Sequence, residues 1–107
     1  SIQLPKNGEN WCHSYHLYVI TVDPSKRDSI VSRGSVDGIP YGIHYALACH
    51  QHPYIASQFS QAEVNLPHTE RMAASVLSLP INPFLTDSDL ELVSHHLGSV
   101  LADGKSL

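Results

Sequence analysis

Gly38-Ile39-Pro40-Tyr41-Gly42-Ile43-His44-Tyr45 is the stretch whose reading decides the fold. Gly38 accepts the left-handed conformation that closes helices at no steric cost, so a helix is expected to stop there. Residues 41–45 then read as a strand. They are aromatic and β-branched, with Pro40 and Gly38 before them and small residues after. The strand is expected to end on His44 and Tyr45, two side chains able to hydrogen-bond, just as a loop begins. Binding groups often sit where a strand feeds a loop.

Upstream, residues 11–22 carry the strongest strand signal in the chain. Tyr15, Leu17, Val19 and Thr21 fall on one face; His16, Tyr18, Ile20 and Val22 fall on the other. Neither face is strongly polar, so both are expected to be covered at least in part. Asp23-Pro24 breaks this strand. Ser25 then reads as a helix N-cap, with Asp28 completing an approximate capping box. The helix is expected over 26–37. It is intrinsically weak: Ile30, Val31 and Val36 are β-branched, and Gly34 costs about 1 kcal/mol relative to Ala. Such a helix needs a sheet to pack on.

Downstream, residues 46–66 mix His, Pro and polar side chains and read as a loop with one short helical turn. Pro67 suits the first turn of a second helix, and Met72, Ala73, Val76 and Leu77 give it an apolar stripe. Residues 78–81 leave it as a short extended piece. Pro80 cannot donate a ladder bond, so this piece is expected at an edge. Thr86 caps the last helix with Asp89 at the box position. Leu90, Val93, Leu97, Val100 and Leu101 recur at three- and four-residue steps along it. Gly104 is expected to end it. His95-His96, near its C-terminal end, suits the dipole and reads as solvated. The order of elements predicts a two-layer α+β domain: a small, mainly antiparallel sheet with helices packed on one face.

Composition narrows the function classes. A chain of 107 residues reads as a single domain, 1–107, and a hydrophobic share of 42% argues for a globular one. A net charge of -4 without a basic cluster speaks against nucleic acid and anionic membranes as partners. No apolar run approaches the roughly 20 residues of a spanning helix, and the signal-peptide plan is lacking at the start. Two cysteines make no disulfide scaffold, so a reducing cytoplasm is the expected location. Two Cys/His clusters, Cys12-His13 with His16 and Cys49-His50 with His52, hold side chains of the kind zinc prefers. Neither has paired-cysteine spacing, and strand alternation sends His13 and His16 to opposite faces. A zinc-binding domain is therefore the weaker alternative.

Four segments, in order and at matching gaps, carry a family resemblance. They are Trp11 with His13-Ser14-Tyr15-His16-Leu17-Tyr18-Val19-Ile20; Arg27-Asp28 with Gly38-Ile39 and Gly42-Ile43-His44-Tyr45; His50 and Pro53; and Pro67, Glu70-Arg71, Val76-Leu77-Ser78-Leu79-Pro80-Ile81, Pro83 and Leu85-Thr86-Asp87. On these the chain resembles the C-terminal small domain of the DegT/DnrJ/EryC1/StrS aminotransferases. These are enzymes that transaminate keto-sugars on nucleotide carriers with pyridoxal phosphate (PLP). The sequence departs from the family at Gly34, where a larger apolar residue is usual, and at Ala46 and Ala48, near usual prolines. The first helix and the loop after His44 are therefore expected to be looser.

The resemblance implies that His44, Tyr45 and His16 lie next to substrate. It implies no catalytic residue, metal or cofactor within these 107 residues. PLP would be held by the family's large N-terminal domain, of which the residues contain no counterpart. Transamination needs a lysine that forms a Schiff base. Lys6, Lys26 and Lys105 lie in polar segments and read as surface lysines. The expectation is an aminotransferase small domain that is inactive alone. Its partner would be a separately encoded large-domain chain or further copies of itself. A stand-alone binding or oligomerisation module is the main alternative.

Overall fold

The computed structural model describes residues 2–59 and 64–103. Two short strands, β1 (Tyr18–Thr21) and β2 (Val76–Leu79), pair antiparallel with Ile20 opposite Leu77. Single antiparallel bridges widen this ladder on both sides, Gln3 to Thr21 and Gly42 to Ser78. Among the described residues four helices accompany it: α1 (Pro24–Val36), α2 (Pro53–Gln58), α3 (Pro67–Ser75) and α4 (Asp87–Asp103), with a 3₁₀ turn at Cys49–Gln51 before α2. The expected α+β class is borne out.

The core forms on one side of the sheet. Ile20 and Val22 from the β1 segment and Leu77 from β2 meet Ile30 of α1 and Leu97 and Val100 of α4. The alternation predicted for residues 18, 20 and 22 is what aims these side chains inward. Each fully buried aliphatic here contributes on the order of 1.5–3 kcal/mol. That burial offsets the poor helix propensity of α1.

The expected strand over 11–22 shrinks to four residues. Tyr15 sits at φ 51° and gives its N–H to His13 Nδ1 at 2.9 Å. A tyrosine in the left-handed region cannot continue a strand. The chain instead stacks the rings of His13, Tyr15 and Tyr18, with centroids 4.6 and 5.4 Å apart. His16 therefore lies in a bend ahead of β1, exposed, and not in mid-strand.

The strand expected over 41–45 is likewise reduced to one bridge. Gly42 exchanges both backbone bonds with Ser78, at 3.0 and 2.8 Å, and a turn at His44 and Tyr45 follows at once. β2 is an edge of the two-stranded sheet, as expected for the segment 78–81, and this one bridge lies on its outer side. β2 has β1 on one side and Gly42 on the other. Pro80 follows its last paired residue, so the missing N–H interrupts no ladder bond.

The caps differ in detail. Asp23, not Ser25, caps α1: its carboxylate accepts from the Ser25 N–H at 2.9 Å and the Ser25 hydroxyl at 2.7 Å. Pro24 occupies the first turn, where its fixed φ suits the helix. Gly38 follows the helix at φ 77°, and Ile39 N–H reaches back to Gly34 O at 2.7 Å, the closure expected of a glycine stop. Thr86 and Asp89 form the expected capping box of α4, with bonds of 2.7 to 3.2 Å. The predicted stop at Gly104 lies outside the described residues. Val76 and Leu77, expected on the second helix, belong to β2.

Candidate functional site

Where the chain leaves the Gly42 bridge, His44 turns back. Its ring lies over Gly42 so closely that a Cβ at residue 42 would sit 2.6 Å from the imidazole Cε1. Glycine is therefore required for this approach. Nδ1 of His44 lies 2.9 Å from Ser78 Oγ. Strand alternation explains the pairing: Leu77 faces the core, so Ser78 must face the other side. The Tyr45 ring stands edge-on to His44, with centroids 5.8 Å apart, and is 75% exposed. His44 and Tyr45, predicted as substrate-facing, thus form one exposed pair. His16 is also exposed, but it shares no hydrogen bond with them among the described residues.

A second polar cluster was not expected. His96, which the sequence places among solvated residues of the last helix, is only 7% exposed. The Tyr41 hydroxyl lies 2.9 Å from His96 Nδ1, and His96 Nε2 lies 3.1 Å from Asp37. A carboxylate only accepts, which puts the neutral ring's proton on Nε2 and makes Nδ1 the acceptor of the Tyr41 proton. Burial pushes the Tyr41 phenol up to about 12, so it remains a donor. Tyr41 also explains Gly34: a methyl at residue 34 would overlap the Tyr41 ring and crowd Ile39 O. The departure at Gly34 thus makes room for the Tyr41 ring.

The two Cys/His clusters do not gather. Cys12 and Cys49 are free and exposed. His13 is occupied by Tyr15, and His50 Nε2 pairs with Glu70 at 2.8 Å, tying the 3₁₀ turn to α3. Among the described residues no group of three potential ligands is placed to hold a metal ion.

An apolar groove of about 650 Å³ opens on the helix side of the sheet. Ile2, Leu4, Tyr18, Leu79, Val93 and Leu97 are among its walls; His44, Tyr45 and Ser78 are not. It lies beside α4, whereas Ser78 faces away from the core. No helix among the described residues is long and apolar enough to cross a membrane.

Ser78, Gly42 and the Tyr41–His96–Asp37 chain escaped sequence reasoning. The one available signal was a lone serine between two leucines in a strand, Leu77-Ser78-Leu79, which marks a polar group on the far face.

The chain is similar to the aminotransferase TlmJ from Streptoalloteichus hindustanus, at 28% identity over 95% of this chain and 26% of TlmJ, with a TM-score of 0.81. It is similar to NtdA from Bacillus subtilis, solved with bound cofactor PMP, at 27% identity over 94% of this chain and 23% of NtdA, with a TM-score of 0.78. It is also similar to DesV of S. venezuelae, solved in complex with a ketimine intermediate, at 31% identity over 87% of this chain and 24% of DesV, with a TM-score of 0.74. The chain thus spans about a quarter of the length of these relatives. The model of the DegT/DnrJ/EryC1/StrS aminotransferase family matches residues 1–98. With the match running from the N-terminal coil into α4, the chain belongs to the DegT/DnrJ/EryC1/StrS aminotransferase family.

Proposed function

We propose that this chain is the small, C-terminal domain of a PLP-dependent nucleotide-sugar aminotransferase. In this reading it covers and shapes an active site whose cofactor sits on a large domain. The observation that carries the proposal is the scale of the likeness: nearly all of this chain matches about a quarter of each full-length relative. The PMP in NtdA and the ketimine in DesV support the reaction class.

The described residues do not suit PLP. A Schiff-base lysine has to be partly desolvated to act as an amine near neutral pH. Lys6 is exposed, Lys26 lies at the start of α1, and neither lines the apolar groove. Lys105 lies outside the described residues. In this reading the chain is inactive alone, and its contribution is to bind and orient. On the same reading His44, Tyr45 and His16 lie next to the substrate. The expected setting is the cytoplasm, where the thiols of Cys12 and Cys49 would stay reduced.

Adding PLP to the purified chain should leave the absorption spectrum of the free aldehyde. A protein-bound aldimine band that borohydride fixes would overturn the proposal.

A binding or oligomerisation role is favoured by a second observation. Val36, Tyr54 and Phe84 are 74% to 87% exposed, and the apolar groove is open. Bare apolar surface of this kind tends to find partners. The partner is a large-domain chain or a second copy, and light scattering at high concentration should report more than a monomer. A clean monomer counts against self-association.

A further inference from the structure

Ser78 is 4% exposed and sits in the middle of the ladder. Its backbone N–H and C=O both go to Gly42, which leaves the hydroxyl as its only remaining polar group. Among the described residues that hydroxyl has one partner, His44 Nδ1 at 2.9 Å. Two proton arrangements fit this distance. In one, Nδ1–H donates to Oγ, and the serine proton is left without an acceptor in a buried place. An unpaired buried donor is costly. In the other, the serine O–H donates to a bare Nδ1 and every proton is accounted for. The second wins.

The consequence falls on the far side of the ring. A neutral imidazole has one N–H, so a bare Nδ1 puts it on Nε2. Gly42 makes room for the ring, because a Cβ there would sit 2.6 Å from Cε1. We infer that Ser78 is a positioning residue: it holds His44 as the tautomer that presents Nε2–H, a donor for an acceptor oxygen of the ligand. In this state His44 binds and orients and does not take up a proton through Nε2. The inference rests on the reading that His44 faces the ligand only for what the donor meets. The state of the ring itself stands apart from that reading.

The test uses the ¹⁵N-labelled chain at about pH 8, above the ordinary imidazole range. Long-range ¹H–¹⁵N spectra should show His44 with a protonated Nε2 and an Nδ1 shifted as a hydrogen-bond acceptor. A nuclear Overhauser effect should connect its Hε1 to the Gly42 α-protons. Ser78→Ala should lose the acceptor shift of Nδ1 and at least half of that Overhauser intensity. Ser78→Thr, which keeps a hydroxyl, should restore both. If Ser78→Ala does not fold, Gly42→Ala makes the same test by pushing the ring off its seat with the hydroxyl intact. A His44 protonated on Nδ1, or spectra that neither variant changes, overturns the inference. A borohydride-fixed aldimine on this chain would sink the small-domain reading without altering these spectra.

Discussion

His96 and His44 share a neighbourhood chemistry and differ in what is left over. His96 uses both ring nitrogens inside the protein, one on Tyr41 and one on Asp37, and is 7% exposed. His44 uses one, on Ser78, and its ring stands at an exposed turn. A histidine with both nitrogens satisfied holds helices together. One with a single nitrogen fixed is pre-oriented and still has something to offer. A histidine's role is set by its unspent hydrogen-bonding capacity and not by its presence in a polar-looking stretch.

This contrast can be broken first at its packed end. Gly34→Ala should destabilise the chain by about 1–3 kcal/mol in denaturant titrations, because the added methyl overlaps the Tyr41 ring. Helix propensity alone predicts the opposite, a gain of about 1 kcal/mol. A stabilised Gly34→Ala would mean that Tyr41 does not lie against α1.

Tyr41→Phe is the next step down. It leaves His96 Nδ1 buried without its donor and should cost about 1–2 kcal/mol. The same tyrosine gives the alkaline limit its sign. Its folded pKa of about 12 lies above the ordinary value of 10.0, so its contribution is intact below pH 10 and is lost as pH rises toward 12. Base titration of Tyr41→Phe should lack this component of unfolding.

The acid limit works in the other direction. The Ser25 hydroxyl and N–H hold the Asp23 carboxyl below the usual range, and the Thr86 hydroxyl and N–H do the same for Asp89. Both contributions are present above the ordinary value of 3.8 and fade as pH falls below it. Circular dichroism should show α1 and α4 fraying at their N-termini there, and Asp23→Asn together with Asp89→Asn should flatten that loss.

The smallest effect belongs to the exposed end. His44→Ala should change stability by no more than about 0.5 kcal/mol, because removing the exposed ring lets water reach the Ser78 hydroxyl it covered. A cost as large as that of Tyr41→Phe would erase the distinction and make His44 a structural residue.

Much of the fold was legible because it rests on local chemistry. Gly38 closes α1, Pro67 opens α3, and Thr86 with Asp89 caps α4, each through bonds spanning a few residues. Strand extent was less legible. The left-handed Tyr15 and the early turn at His44 follow from side-chain bonds that no periodicity encodes. Of the site, His44 and Tyr45 could be named from their place after a strand-like run, but Ser78 could not. Its partner lies 34 residues away in sequence, and only the sheet brings the two together. His96 was misplaced for the same reason: Tyr41 and Asp37, which bury it, lie 55 and 59 residues off.

The ring of Tyr41 resting on Gly34 ties positions 34 and 41 together. Position 34 can grow only where position 41 shrinks, so natural variation at the two should move in opposite directions. A homologue with a bulky aliphatic at 34 is expected to carry something slimmer than tyrosine at 41, and with it to forgo the hydroxyl that His96 receives. Grafting either half of that exchange alone into this chain should fail where the pair together succeeds.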